Sequence, residues 1–261
     1  MLKSKIVYFG DRLYDAMRNK IPIDPLTDQC PDISVEDAYQ IQQRMVSRRL
    51  GDGEKIIGKK IGVTSRVVQA LIGFNQPDFG QLTSGMLYHE DDDISLDHLI
   101  SPRAEAEVAF VLKHDLIGPG VTAVDVIAAT DYVTSCFEIV DSRIKNWNIS
   151  IQDTVADNAS CGIFVLGQNR TRITDVDLTL SGMVLERNGY LEATAAGAAV
   201  QGGPVNAVVW LANTLGRLGL PFKKDEIILS GSQSSLIPAV AGDTLRCTAG
   251  GVGSCQITFS K

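Results

Sequence analysis

The amino-acid sequence predicts an α+β protein in which a small helical N-terminal segment, residues 1–55, packs on a β-rich domain, residues 56–261. Three observations carry that expectation. Before residue 51, apolar residues recur at three- and four-residue steps, the spacing of one helix face. From residue 56 onward, short β-branched or alternating runs are separated by Gly, Pro, Asn and Asp. Within that second region Asn188-Gly189 lies between two such runs, a pair suited to a tight hairpin whose two central positions need φ > 0.

Ile6, Phe9, Leu13 and Met17 form the apolar face of a first helix, and Pro22, Pro25 and Pro31 break the chain after it. A second helix opens at Ser34, whose hydroxyl can accept an early backbone N–H while Asp37 reaches back, a capping box. Its stripe is Ala38, Ile41 and Met45. Arg48 and Arg49 lie where the helix dipole favours cations, and Gly51 or Gly53 ends it. Strands are expected over 56–63, 104–112, 133–141, 161–167, 177–187, 226–230, 243–248 and 254–260. That density of short strands fits a core of sandwich or barrel kind. Two helices interrupt it. One begins with a capping box at Thr122-Ala123-Val124-Asp125. The other runs from Pro204 through Val208, Leu211 and Leu215 to Leu218, with Gly219 just past its end.

Composition removes several function classes. An excess of 31 acidic over 24 basic residues, with no Lys/Arg-rich run, argues against nucleic acid as a partner. No apolar stretch approaches the roughly 20 residues that span a bilayer, and the opening Met1–Ile6 lacks the apolar core of a signal peptide. Five cysteines, an odd number without C-x-x-C spacing, fit reduced thiols in a cytoplasmic protein. His89, His98 and His114 have no ligand spacing and read as surface residues. No G-x-S-x-G or phosphate-binding loop occurs, and Gly250-Gly251-Val252-Gly253 lies too near the C-terminus to open a dinucleotide-binding unit. Serine-triad and nicotinamide chemistry are therefore unsupported.

The sharpest chemical feature is Arg103-Ala104-Glu105-Ala106-Glu107-Val108-Ala109-Phe110-Val111-Leu112. Read as a strand, it puts Ala104, Ala106, Val108, Phe110 and Leu112 on one face and Glu105 and Glu107 side by side on the other. Such a pair is either a solvated strand face or half of a site in which a cation relieves the repulsion. A third acid, Glu138, sits among Cys136, Phe137, Ile139 and Val140. A carboxylate in that setting must be protonated, paired with an arginine such as Arg143 or Arg103, or bound to metal. Three glutamates from two strands suit an octahedral Mg²⁺ or Mn²⁺ with positions left for substrate oxygens. In Ile57-Gly58-Lys59-Lys60-Ile61-Gly62 strand alternation directs Lys59 and Lys60 to opposite faces. One of them would point inward, with the lowered pKa of a buried ammonium; the alternative is two surface lysines. Asn75-Gln76-Pro77-Asp78-Phe79-Gly80 reads as a turn presenting Asp78. The small and polar run from 151 to 162 reads as a loop, either lining a site or merely at the surface.

These motifs, in order, resemble a known family. They are Gly58-Lys59-Lys60-Ile61-Gly62-Val63-Thr64-Ser65, Gln76-Pro77-Asp78-Phe79-Gly80, Pro102-Arg103-Ala104-Glu105-Ala106-Glu107, Phe137-Glu138-Ile139-Val140-Asp141-Ser142-Arg143, Asp153-Thr154-Val155-Ala156-Asp157-Asn158-Ala159-Ser160 and Ile228-Leu229-Ser230-Gly231-Ser232. Together they are similar to the 2-oxopent-4-enoate (2-hydroxypenta-2,4-dienoate) hydratases of aromatic meta-cleavage pathways, in the fumarylacetoacetate hydrolase-like superfamily. The resemblance implies a mixed β-roll and a catalytic domain from residue 56. It implies Mg²⁺ or Mn²⁺ on Glu105, Glu107 and Glu138, with Lys60 and Asp78 near the substrate. On that basis Lys60 and Asp78 are assigned to proton transfer and water positioning, and Ser160 and Arg143 to orienting the substrate or the carboxylates around the metal ligands. The implied reaction hydrates 2-hydroxypenta-2,4-dienoate to 4-hydroxy-2-oxopentanoate. The implied partners are a small 2-oxo acid, further copies of the chain in a homo-oligomer, and 4-oxalocrotonate decarboxylase. That decarboxylase is itself a relative, so decarboxylation of 2-oxo-3-hexenedioate is the alternative activity. It typically carries Leu-Lys and Pro-Lys where this chain has Lys59-Lys60 and Pro102-Arg103, departures that favour the hydratase. A non-catalytic partner subunit would be expected to lack part of the carboxylate trio, which is complete here.

Overall fold

The computed structural model describes residues 1–66, 69, 70 and 73–260. The N-terminal segment holds α1 (Lys3–Asn19), the single turn α2 (Leu26–Gln29) and α3 (Val35–Gly51). The capping box forms as expected: Asp37 N–H donates to Ser34 Oγ at 3.1 Å and Ser34 N–H donates to Asp37 Oδ2 at 3.3 Å. Close packing of α1 on α3 needs Gly10, where a β-carbon would lie 2.5 Å from the Arg44 side chain. Their apolar faces do not form a separate core. Phe9, Leu13, Leu26, Ala38, Ile41 and Met45 join Ile144, Ile151, Val155 and Ala156 in one cluster. Gln42, 1% exposed, extends the connection by donating to the carbonyls of Phe79 and Val155, each at 2.9 Å.

Two sheets follow. The larger is mixed and eight-stranded, running β2 (Asp78–Thr83), β1 (Ile56–Gly62), β10 (Ile227–Leu229), β5 (Arg103–Leu112), β6 (Thr130–Val140), β7 (Cys161–Leu166) and β3 (Leu87–Tyr88), with β11 (Ile237–Pro238) also pairing β5. The smaller has five strands in the order β4 (Asp93–Ser95), β13 (Gly253–Ser260), β12 (Thr244–Ala249), β8 (Gly182–Arg187) and β9 (Tyr190–Ala196). Ala104, Ala106, Val108, Phe110 and Leu112 line the buried face of β5, as alternation predicts, in one cluster with Leu245, Cys255, Ile257 and Phe259 of the smaller sheet. Helices α4 (Ala123–Ala129) and α6 (Pro204–Arg217) close this core through Val126, Val208, Leu211 and Leu215. A mixed, curled sheet with an N-terminal helical segment matches the expected β-roll. Among the described residues, no helix is long and apolar enough to cross a membrane.

The hairpin at Asn188-Gly189 forms, with φ of 53° and 80° joining β8 to β9. Three expectations need correction. Asp78 does not sit in a turn but begins β2, antiparallel to β1. The stretch from 151 contains a helix, α5 (Ile151–Ala156), started by a Ser150/Asp153 capping box that six residues are too few to reveal by periodicity. The strand expected over 177–187 is extended only from Gly182, because the Asp177 carboxylate accepts the Thr179 and Leu180 N–H groups and holds a turn there.

Where β1 meets β10, a β-carbon on Gly58 would lie 2.0 Å from the Ile227 carbonyl oxygen, which the ladder prevents from moving. Gly58→Ala is expected to lose roughly 1–3 kcal/mol or more of unfolding free energy, as overpacking does. Gly182→Ala, with nothing within 4 Å of the added carbon, should stay within about 0.5 kcal/mol. Urea unfolding midpoints measure both; equal midpoints for the two variants would contradict the packing account.

Candidate active site

Strand register gathers the chemistry onto the other face of the larger sheet. Glu105 pairs directly with Glu138 across β5 and β6, and Glu107, two residues on, shares their face. Leu229 of β10 links β5 to β1, being opposite both Ala109 and Lys60. Lys60 is opposite Gly80, and Gly62 is opposite Asp78. Partners directly opposite share a face, so Lys60, Asp78, Glu105, Glu107 and Glu138 project the same way. Lys59 points to the opposite face, where it bonds Glu226 at 2.5 Å and lies 5.4 Å from the centre of the Phe222 ring. Both lysines are buried, at 6% and 3% exposure, which removes the surface reading.

Ligand atoms of Glu105, Glu107 and Glu138 lie within 4.8 Å of one another. Glu107 and Glu138 are fully buried, and Glu105 keeps partial exposure. Glu107 Oε2 accepts the Gly231 N–H at 2.7 Å, but Glu107 Oε1 and both Glu138 oxygens accept no hydrogen bond among the described residues. Lys60 Nζ stands 3.2 Å from Glu138 Oε1, an ion-pair distance without hydrogen-bond geometry, and donates to the Ala159 carbonyl at 2.9 Å. Neither arginine considered for neutralising Glu138 does so: Arg103 stacks on Trp147 at 4.5 Å, and Arg143 bonds Asp157.

Among the described residues one ammonium thus faces four carboxyl groups, counting Asp78, whose Oδ1 also lacks a partner there. Burial pushes Glu105 up to about 7, helped by the charge of Glu138. Burial, then Glu138 and Glu105, drive Glu107 well above the carboxylate range. Burial also raises Glu138 and Asp78 against the opposing field of Lys60. Burial alone would pull Lys60 down, but Glu138, Asp78 and Glu105 together outweigh it and hold the ammonium above its ordinary value. The expected lowered lysine pKa is therefore corrected for this arrangement of charges. Unpaired carboxylate oxygens converging on one point form an oxygen donor set suited to a hard divalent cation, which would offset charges that a single lysine cannot.

Glycines and a left-handed turn give these groups room. A β-carbon on Gly62 would lie 2.3 Å from Asp78 Oδ1 and 3.3 Å from Lys60 Nζ; on Gly80 it would meet the Asn158 carbonyl at 2.5 Å. Asn158, Ala159 and Ser160 all have positive φ, at 55°, 51° and 54°, a conformation costing about 1–2 kcal/mol per residue. The Asn158 side chain holds the turn through the Gln81 backbone, accepting at 2.8 Å and donating at 2.9 Å. Arg143, 1% exposed, holds its other side. It donates to Asp157 Oδ1 at 2.5 Å, to the Cys161 carbonyl at 2.8 Å, and to the Asp157 and Asp141 carbonyls.

Arg143 lines a separate cavity of about 240 Å³ with Arg49 and Glu54, so the structure places it behind the turn, apart from the carboxylates. Ser160 lies in the turn itself, its Oγ 3.3 Å from Thr154 Oγ1. Glu105 opens onto a different cavity, of about 400 Å³, bounded by Gly62–Ser65, Thr194, Ala199 and residues 232–236. A larger space of about 1040 Å³ shares Thr64, Ser65 and Ala199 with it and continues toward Trp210. Sequence reasoning gave no role to Gln81 or Gln233, nor to Asn158 and Gly231, although these two lie in motifs that carry the family resemblance. Only Gly231, in a Ser-Gly-Ser run directly after a strand, carried a local signal.

No protein-family model matches the chain. A 2-hydroxypent-2,4-dienoate hydratase of Pseudomonas putida is 57% identical over 221 residues, covering 84% of this chain and 100% of that protein. A 2-hydroxyhexa-2,4-dienoate hydratase of Comamonas testosteroni is 53% identical over 254 residues, covering 97% and 96%. Among solved structures, the 4-oxalocrotonate decarboxylase of Pseudomonas putida G7, complexed with magnesium and adipate, superimposes with a TM-score of 0.96 at 33% identity, covering 99% of this chain and 98% of that one. End-to-end similarity of this degree, strongest to the hydratases, shows that the chain belongs to the 2-keto-4-pentenoate (2-hydroxypenta-2,4-dienoate) hydratase family, of fumarylacetoacetate hydrolase-like fold.

Proposed function

We propose that the protein adds water to 2-hydroxypenta-2,4-dienoate, giving 4-hydroxy-2-oxopentanoate, with Mg²⁺ or Mn²⁺ held by Glu105, Glu107 and Glu138. The observation that carries this reading is the convergence of three carboxylates, three of whose oxygens accept no hydrogen bond among the described residues, in a member of a hydratase family. The decarboxylase activity fits less well, since that relative is 33% identical against 57% and 53% for the two hydratases. The reaction belongs to aromatic meta-cleavage degradation in the cytoplasm, carried out by a homo-oligomer able to associate with 4-oxalocrotonate decarboxylase; the family resemblance supports that setting.

When bound, the cation supplies Lewis acidity and a template for the substrate's carboxylate and C2 oxygen. In the substrate, the C2 hydroxyl gives up its proton and C5 gains one, which leaves C3=C4 conjugated to a C2 carbonyl. Water then adds its oxygen at C4, and C3 takes a proton. Lys60, kept protonated by the acids around it, enters as a proton donor. Asp78, with a raised pKa and an unpaired oxygen, exchanges protons and orients water. Groups in such roles contribute roughly 10²–10⁴-fold each. Ser160 and Arg143 act by position: the turn that contains Ser160 presents the Ala159 carbonyl to Lys60, and Arg143 holds that turn.

Two measurements test the reading. Glu107→Gln should abolish Mg²⁺- or Mn²⁺-dependent loss of dienol absorbance while the circular dichroism spectrum is unchanged; full turnover in that variant, or in chelator-stripped protein, would falsify it. The second concerns pH. Glu105 titrates higher in the folded protein, about 7, than its ordinary 4.5, so the folded state binds more protons than the unfolded one between those values. Its contribution to metal-free stability therefore falls as pH rises through that window. Added Mn²⁺ should reverse the trend, because it favours the ionised trio. A thermal midpoint that rises with pH in the metal-free protein, or does not respond to Mn²⁺ at pH 8 (about one unit above the Glu105 value), would contradict the assignment.

A further inference from the structure

We propose that Gln233 binds the substrate directly, its side-chain amide N–H donating to the carboxylate of the 2-oxo acid beside Glu105. The inference rests on the reading of the glutamate trio as a metal centre for such an acid. Gln233 is 5% exposed, yet among the described residues neither its amide nitrogen nor its amide oxygen has a hydrogen-bond partner. Leaving a buried amide unsatisfied costs about 1–3 kcal/mol per group, a cost that a bound ligand would remove. Gln233 and Glu105 both border the same cavity of about 400 Å³.

Its position relative to the trio is fixed by backbone contacts. Gln233 N–H donates at 3.2 Å to the carbonyl of Ala106, the residue between Glu105 and Glu107, while Gly231 N–H donates to Glu107 itself. Just beyond, Ile237 pairs with Ala104. The segment carrying Gln233 is thus laid along the strand that carries two of the three glutamates.

The chemistry of the cavity favours a neutral donor there. Its substrate is an anion, and among the described residues lining this cavity there is no Lys, Arg or His; Lys60 lies behind its Gly62 wall, paired with Glu138, and Arg66 borders the adjoining larger space. A guanidinium at position 233 would pair with Glu105 or Glu107 and compete with the cation for their oxygens. An amide can donate to a carboxylate oxygen without that competition. Its carbonyl is left to accept from a hydroxyl or a water, and the reaction has both.

The test uses the full-length protein with Mn²⁺ and pyruvate, the simplest 2-oxo monocarboxylate, as probes. Gln233→Met keeps the length of the side chain and removes its polarity; Gln233→Leu does so with a shorter arm. Calorimetric titration should show Mn²⁺ affinity within about twofold of wild type in both variants. Pyruvate affinity for the Mn²⁺-loaded variants should fall roughly 10- to 100-fold, the loss expected for a hydrogen bond to a charged group. The metal-free variants should melt no lower than wild type, since an unsatisfied buried amide has been replaced by an apolar group. Pyruvate binding as tight as wild type overturns the proposal and leaves the hydratase reading standing. Loss of Mn²⁺ and pyruvate together shows that Gln233 acts through the metal ligands, and overturns it too. Wild-type protein that binds no Mn²⁺, or Glu107→Gln that binds it equally well, removes the metal centre and the proposal with it.

Discussion

The structure depends on holding several acids of like charge, out of water, on one face of a sheet. Glu105, Glu107, Glu138 and Asp78 share that face with the ammonium of Lys60. A sheet cannot relax this crowding. Side-chain direction follows the ladder with a period of two, so moving one acid away would carry its entire strand out of register and turn Ala104 to Leu112 away from the core. The apolar half of β5 therefore enforces the proximity of its acidic half. Burial energy on one face maintains electrostatic tension on the other, and the tension is available to any ligand that relieves it.

Around that centre the chain uses backbone where it has run out of room for side chains. Gly62 and Gly80 leave space that Asp78, Lys60 and Asn158 occupy, and Gly231, at φ 108°, turns its N–H onto Glu107. The three left-handed residues after Asp157 are costly in isolation. Asn158 anchored to Gln81 and Arg143 spread over three carbonyls and a carboxylate offset that cost. The outcome is a fixed acceptor for Lys60. Its ammonium is held between a carbonyl on one side and Glu138 on the other, which limits its motion along the face it shares with Asp78.

Much of this was legible in the residues. The β5 alternation, the caps at Ser34 and Thr122, the Asn188-Gly189 hairpin and the Pro204 helix are local signals, and local physics decided them. The trio was legible because an apolar strand with one glutamate in it poses a problem few environments solve. Other features were not. Asp78 follows a proline, a turn signal, yet its conformation is set by pairing with β1, where it lies opposite the distant Gly62. Helix α5 is too short to show a period. The direction of the Lys60 shift depends on three acids from three other strands, and no window along the chain contains them all. Gln233 was invisible because an isolated glutamine in a serine-rich loop has no chemical signature; its meaning lies in what fails to bond it.

The N-terminal helices read in sequence as an appendage, but Gln42 on α3 grips both Phe79, next to Asp78, and Val155, on the helix leading into the left-handed turn. With Ile41 and Met45 packed against Val155 and Ala156, α3 serves as a brace across two walls of the face that carries the carboxylates. A shortened version of this chain beginning at residue 56 would not be a smaller catalyst. It would have an exposed greasy flank, and the turn that offers the lysine its carbonyl would keep only the Asn158 and Arg143 anchors.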